Sequence, residues 1–285
     1  MKLIDYLSDK TGIKLTDIKP VSGGDISAAY QVKSADTSFF LKTNNKPFAK
    51  EMFSAEKTGL DTIEKTNSIA VPHVFLTDNF ESQSFILMEF IESKRPNSID
   101  LQTLGTQLAA LHQCRNAEFG FETNNFIGSL PQSNIFHQNW SEFYWFERIF
   151  PQLKMAFDNH LLSKNESPSE EKAMKVFNEI FGEVKPSLLH GDLWGGNYLI
   201  STGGVPYLID PATYYGHSMV DIAMTKLFGG FDSEFYNAYH EIIPKTENYD
   251  CQIELYQLYY LLIHLNIFGS GYYSGVKNIL KRYFL

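Results

Sequence analysis

Cysteine is scarce in this chain, with two among 285 residues. Cys114 and Cys251 are too few for a disulfide framework, and neither has partners at zinc-ligand spacing. Positive charge is short as well: 24 Lys and Arg stand against 33 Asp and Glu, a net charge of −9. An acidic balance argues against nucleic acid as a partner, because neutralising phosphates is what drives that binding. It is compatible with a cationic ligand without identifying one. No apolar run approaches the roughly 20 residues that span a bilayer, so no membrane partner is expected. The opening MKLIDYLSDKTG is amphipathic and carries acids, unlike a secretory signal, which points to a cytoplasmic protein. These absences leave an ordinary globular chain, 44% hydrophobic, with 23 Phe and 16 Tyr to fill cores. Its length suits one large or two small domains.

Chemistry-bearing residues concentrate at 187–210, SLLHGDLWGGNYLISTGGVPYLID. Leu188-Leu189 and Tyr207-Leu208-Ile209 read as buried strands around a tight polar loop. That loop holds His190, Gly191, Asp192 and Asn197, and the second apolar run ends on Asp210. A carboxylate, an amide five residues on and a second carboxylate behind a hairpin suit phosphoryl transfer. Such chemistry needs a base near the attacking hydroxyl and oxygen ligands for Mg²⁺ carried on nucleotide phosphates. HGDxxxxN has the spacing of the kinase catalytic loop HRDxxxxN, with Gly191 in place of the arginine. Asp210-Pro211-Ala212 stands where a kinase has Asp-Phe-Gly. Any one of these residues alone reads as a turn former or a helix cap. The set, at this spacing, carries the reading.

Upstream, residues 2–10 read as a short helix. Gly23 and Gly24, followed by Asp25, permit a tight turn whose N–H groups approach phosphates. Residues 28–32 and 38–42 read as strands, with Lys42 where a kinase lysine grips the α- and β-phosphates. Residues 47–60 have a helical pattern, and Glu56 or Glu51 on it could pair with Lys42. Glu56 is favoured, because it lies on a face with Phe53 and Leu60 that can turn toward the sheet. Residues 71–75 and 85–90 complete an antiparallel sheet of about five strands. The apolar run 85–91 then opens into a polar connector, which sets a lobe boundary. Residues 1–91 form a nucleotide-binding lobe in this reading, and 92–285 a mainly helical lobe. Backbone groups of Glu89 and Ile91 would meet an adenine edge at that junction.

Downstream the pattern turns helical. Leu101, Leu104, Leu108 and Leu111 make an apolar stripe behind an Asn97 or Ser98 cap. His112, at its end, reads as structural. Residues 115–136 read as loop, and 139–162, 168–181, 218–228 and 251–268 as helices. Asp221 reads either as an anchor beneath the catalytic loop or as a helix-terminal acid.

With both lobes in view, the sequence resembles the fructosamine kinase (ketosamine-3-kinase) family, a branch related to aminoglycoside and choline kinases. The resemblance rests on SGGDIS at 22–27, FFLKTN at 39–44, MFSAEKTGL at 52–60 and LMEFIE at 87–92. It continues through FGFETNNFIGSLPQSN at 119–134, LLHGDLWGGNYL at 188–199, LIDPATYYGH at 208–217 and DIAMTKLFGGF at 221–231. It implies an α+β, bilobal protein-kinase-like fold and ATP- and Mg²⁺-dependent phosphorylation of the O3 hydroxyl of a ketosamine. The acceptor would be a small molecule or a glycated protein amine, and the role deglycation repair. Carried over residue by residue, Asp192 is the base, Lys42 holds phosphates and Glu56 orients it. Asn197 and Asp210 would hold Mg²⁺, while Trp194 and His217 shape the sugar pocket. One departure stands out: Ser218-Met219-Val220 precedes Asp221 where the family has Arg-Glu-Ala, which bears on substrate preference. Two other readings remain: a related kinase for an aminoglycoside, choline or another amino alcohol, and a nucleotide-binding regulator without turnover. The regulator should lack one of Lys42, Asp192, Asn197 or Asp210, and all four are present. Oligomeric state is left open.

Overall fold

The computed structural model describes residues 2–21 and 26–285, so the turn expected at Gly23, Gly24 and Asp25 lies outside the described residues. Helix α1 (Leu3–Thr11) precedes strands β1 (Asp17–Pro20), β2 (Ala28–Lys33) and β3 (Ser38–Asn44). Helix α2 (Ala49–Glu64) follows, then β4 (Val74–Phe80) and β5 (Gln83–Glu89). The strands form one antiparallel sheet in the order β1-β2-β3-β5-β4. Alternation along β3 and β5 gives that sheet two used faces. Phe39, Leu41, Phe85 and Leu87 pack with Leu7 of α1 on one face. Ile86 and Met88 meet Phe53, Leu60 and Ile63 of α2 on the other. Lys42 pairs with Ile86 across the strands and therefore sits on the α2 face. Strand β4 starts at Val74 rather than at Val71, since Pro72 has no N–H to give a ladder.

After β6 (Ser93–Lys94) the chain is mainly helical. Helix α3 (Ser98–His112) is capped by Asn97, which accepts the Asp100 N–H at 3.0 Å while Asp100 accepts the Asn97 N–H at 2.9 Å. The 115–136 segment is not all loop. It contains a hairpin of β7 (Asn125–Ile127) and β8 (Leu130–Gln132), too short for alternation to be read. Helix α4 (Trp140–Phe143), a π-helical turn (Tyr144–Ile149) and α5 (Phe150–Asp158) run on without a break, and α6 (Glu170–Phe181) follows. Strands β9 (Ser187–Leu189), β10 (Tyr198–Ser201), β11 (Pro206–Leu208) and β12 (Tyr214–Gly216) form small ribbons, with β6 pairing β10. Helices α7 (Met219–Phe228), α8 (Ser233–Ile242), α9 (Tyr249–Phe268) and α10 (Tyr273–Tyr283) complete the chain. Leu255, Tyr256, Leu258, Tyr259, Leu262 and Ile263 of α9 are all buried, so this helix presents apolar side chains on most of its circumference. Among the described residues, no helix is long and apolar enough to cross a membrane.

Candidate active site

The loop between β9 and β10 is fixed from beneath by one carboxylate. Asp221, fully buried on α7, accepts the N–H groups of His190 at 2.7 Å and Gly191 at 2.8 Å. His112 Nε2 lies 3.1 Å from the same carboxylate, and its Nδ1 is 2.8 Å from the Tyr239 hydroxyl. Burial raises the Asp221 pKa, but the bond from His112, the two neighbouring imidazoles and the Gly191 N–H outweigh it, leaving it below the usual value. Of its two expected roles, Asp221 takes that of loop anchor, and His112 is structural. On α9, the Tyr260 hydroxyl donates to the Gly191 carbonyl at 2.9 Å. Gly191 has φ +86°, and a Cβ there would stand 2.1 Å from the Ala212 carbonyl oxygen. No side chain fits, which explains why the kinase arginine is missing.

His190 is buried and neutral. Burial pushes its pKa down, its Nε2–H donates to the Ile209 carbonyl at 2.8 Å, and its Nδ1 accepts the Asp192 N–H at 3.2 Å. Asp192 thus leaves the anchored loop with its backbone held. Asn197 Nδ2 donates to the Asp192 carbonyl at 2.8 Å and reaches its Oδ2 at 3.3 Å. Burial first, then the negative charge of Asp221, push the Asp192 carboxyl up to about 7, against the opposing bond from Asn197. A carboxyl poised there suits proton transfer near neutral pH.

The Ile209 N–H donates to the Asn197 carbonyl at 3.0 Å, which brings Asp210 beside Asn197. Lys42 Nζ contacts Asp210 Oδ1 and lies 2.8 Å from Glu56 Oε1. The pair forms with Glu56, and Glu51 is exposed to solvent. One turn beyond Glu56, Gly59 rests on the segment that follows Asp210. A Cβ at Gly59 would come 2.9 Å from Thr213 Oγ1 and 3.1 Å from Pro211 Cγ. The helix carrying Glu56 and the segment carrying Asp210 are therefore in direct contact. With its Nδ2 committed to Asp192, Asn197 offers Oδ1 as an oxygen donor near the Asp210 carboxylate. One amide oxygen and one carboxylate fit Mg²⁺, which takes few protein ligands and shares the rest with phosphates and water. Consistently, no group of three His, Cys, Asp or Glu forms a protein cage among the described residues.

Glu89 ends β5 with its N–H donated to the His73 carbonyl at 2.8 Å, so that N–H is not available to a base edge. Ile91 lies just beyond, in the connector to β6. Trp194 is two residues past Asp192, 39% exposed, with its indole over the backbone of Gly196. His217 is the one expected pocket residue that is not brought to the cleft. Strand β12 runs back along β9, pairing Tyr214 with Leu189 and Gly216 with Ser187, and so carries His217 away from Asp192. Its Nδ1 is 2.6 Å from the Tyr256 hydroxyl and its ring packs on Trp140. Burial, then the charges of His112 and Arg115, push its imidazole down to about 3. Above about pH 6.5 the ring is neutral in both folded and unfolded chains. Below that, the unfolded chain binds a proton that the folded chain refuses, so stability falls as pH falls toward about 3. The unfolding free energy from urea titrations should decline between pH 6.5 and 5 by up to about 1.4 kcal/mol per pH unit from this group, and His217→Gln should flatten that slope.

Sequence reasoning gave no role to Tyr260 or to the polar residues of the β7–β8 hairpin. The second had a signal, since Asn125 and Gln132 lie in a quoted motif without an assigned task.

The sequence profile of fructosamine kinases matches residues 2–285. The chain is 36% identical over 285 residues to a Synechocystis sp. protein named probable ketoamine kinase, covering 98% of this chain and 95% of that one. It is 37% identical over 292 residues to the chloroplastic protein-ribulosamine 3-kinase of Arabidopsis thaliana, covering 97% and 85%. A solved Thermobifida fusca structure, provisionally assigned as a fructosamine-3-kinase, superposes with TM-score 0.87 at 30% identity, covering 98% of this chain and 97% of that one. The aminoglycoside phosphotransferase APH(4)-Ia shares the fold at TM-score 0.65 and 14% identity, covering 99% and 98%. By sequence and by fold, the chain belongs to the fructosamine kinase family.

Proposed function

We propose that the protein transfers the γ-phosphoryl group of ATP to the O3 hydroxyl of a ketosamine, whose unstable 3-phosphate then breaks down to free the amine. The observation that carries this reading is the convergence of Lys42, Glu56 and Asp210 beside Asn197 and Asp192, in a chain whose relatives are named for ketosamine phosphorylation. Lys42, steadied by Glu56, holds the α- and β-phosphate oxygens. Asp192 aligns the acceptor hydroxyl and takes its proton as the oxygen bonds to phosphorus and the bond to ADP breaks. Asn197 Oδ1 and the Asp210 carboxylate hold Mg²⁺, which when bound neutralises charge on the phosphates. The Glu89 carbonyl and the Ile91 N–H serve the adenine at a lobe boundary near residue 92, and Gly23, Gly24 and Asp25 cover the phosphates. Trp194 forms a wall of the acceptor pocket. His217 acts at a distance, as part of the aromatic packing under β9 and β12.

The test is ADP release with Mg-ATP and a panel of ribulose-lysine, fructose-lysine, a glycated protein, choline and an aminoglycoside. Turnover on the ketosamines is expected, and the panel ranks free against protein-bound acceptors. Turnover confined to choline or the aminoglycoside would discard the acceptor while keeping the chemistry. ADP binding without turnover on any acceptor would leave only a nucleotide-binding protein.

A further inference from the structure

Asp210 has φ +56°, in the left-handed region that few residues with a Cβ occupy, although aspartate enters it more readily than most. Such a backbone persists when its surroundings over-determine it. The three residues that follow are held from three directions. The Ala212 N–H donates to the His190 carbonyl at 2.8 Å. Gly59 packs on Pro211 and Thr213 from the α2 side. From the β7–β8 hairpin, Asn125 Nδ2 donates to the Thr213 carbonyl at 2.8 Å. Gln132 Nε2 donates to Asn125 Oδ1 at 2.8 Å and approaches the Ala212 carbonyl at 3.5 Å. Gln132 Oε1 in turn accepts from the Tyr259 hydroxyl.

Behind this pair stands a buried cation. Arg148, turned inward by the π-helical turn, donates to the Ser133 carbonyl at 2.6 Å and to Asn134 Oδ1 at 2.7 Å. Its guanidinium lies 4.0 Å from the Tyr214 ring centroid and 4.7 Å from that of Phe143. Asn125, Gln132, Asn134 and Arg148 are all buried, and none touches Lys42, Asp192 or Asn197. At its tip, the same hairpin lies against Ile267 and Ile26, bridging α9 and the start of β2. A buried polar network of this extent carries a cost wherever a member goes unbonded, as Arg148 Nε and Thr213 Oγ1 do. Its outlet is a pair of backbone carbonyls, two and three residues beyond Asp210.

We propose that Asn125 and Gln132 are positioning residues for Asp210. The β7–β8 hairpin is a clamp, braced by Arg148, that locks the 211–213 backbone and so keeps the Asp210 carboxylate in its left-handed setting beside Asn197. This rests on the reading of Asp210 as a Mg²⁺ ligand. The clamp acts before any nucleotide arrives, because its bonds are to backbone that belongs to the fold.

The experiment is calorimetric titration of ADP with and without Mg²⁺, on the wild-type protein and on Asn125→Asp, Gln132→Met and Asp210→Asn. Asn125→Asp keeps the size and the acceptor for Gln132 but faces the Thr213 carbonyl with a second acceptor. Gln132→Met keeps volume and removes the bonds to Asn125 and Tyr259. In both, the gain in ADP affinity conferred by Mg²⁺ should fall about tenfold or more, the range for groups that orient metal ligands. ADP affinity in EDTA should be unchanged, as should KM for the acceptor, and raised Mg²⁺ should restore part of kcat. A merely structural role would lower the unfolding midpoint and leave the Mg²⁺-dependent gain intact, which would overturn the proposal. If Asn125→Asp does not fold, Gln132→Met decides alone. Asp210→Asn separates the two readings. Loss of the gain there but not in the hairpin variants rejects the clamp, and retention of the gain in Asp210→Asn rejects the metal-ligand reading beneath it.

Discussion

Asp192→Asn should slow turnover by at least ~10²-fold while Mg-ATP still binds. The substitution keeps the size of the side chain and the Asn197 bond to the backbone carbonyl, but removes the oxygen that can take a proton. It should also stabilise the fold. The Asp192 carboxyl is pushed up to about 7 by burial and by Asp221, so the folded chain resists an ionisation that the unfolded chain undergoes near its ordinary value of 3.8. Its contribution is therefore fully present below pH 3.8 and is lost as pH rises through about 7. A neutral amide escapes that loss, and the variant should gain roughly 1–3 kcal/mol at pH 8. Single-turnover kinetics, nucleotide titration and urea unfolding on one preparation check all three statements. Near-normal turnover would remove Asp192 from the base role. Slow turnover with lost nucleotide binding would mean that the loop itself had moved.

The second large effect is on the fold. Asp221→Ala strips the acceptor from the N–H groups of His190 and Gly191 and from His112, in a site with no access to water. Removing one member of such a buried charged set costs about 3–5 kcal/mol. Urea unfolding should show a loss of that size, and an unchanged midpoint would mean that the loop is held by something else. Asp221→Asn is the gentler variant, since it retains one acceptor oxygen. Because Asp192 follows directly on Gly191, Asp221→Asn should lower kcat more than it alters KM for ATP, and an unaltered kcat would count against the anchor role.

Lys42, Glu56, Asp192, Asn197 and Asp210 could be brought together on paper because the chemistry they suit demands fixed residue types at fixed spacings. The resemblance that set His217 at the sugar pocket carried no information on where the strand after Asp210 would lead. His217 follows Asp210 by only seven residues, yet an antiparallel return carries it to the far end of a ribbon. Arg148 was illegible for another reason. In a segment rich in Trp, Phe and Tyr a lone cation reads as the solvent edge of a helix, and one π-helical turn shifts the phase so that it points inward. Helices α8 and α10 turn Phe235, Ala238 and Tyr239, and Val276 and Leu280, inward from otherwise polar segments, an amphipathic pattern that the reading of the sequence passed over.

The chain has three tryptophans, and the aromatic packing sorts them sharply. Trp140 and Trp145 are each 3% exposed, whereas Trp194 is 39% exposed and lies two residues from Asp192. A water-borne quencher such as acrylamide therefore reaches essentially one indole, the one beside the proposed base. The quenchable part of the emission is in effect a single-site optical signal, above a constant background from the two buried indoles. An acceptor that settles over Trp194 would shield it from collision, so occupancy can be followed by light, without a label and without a chemical step. That includes variants too slow to assay by turnover.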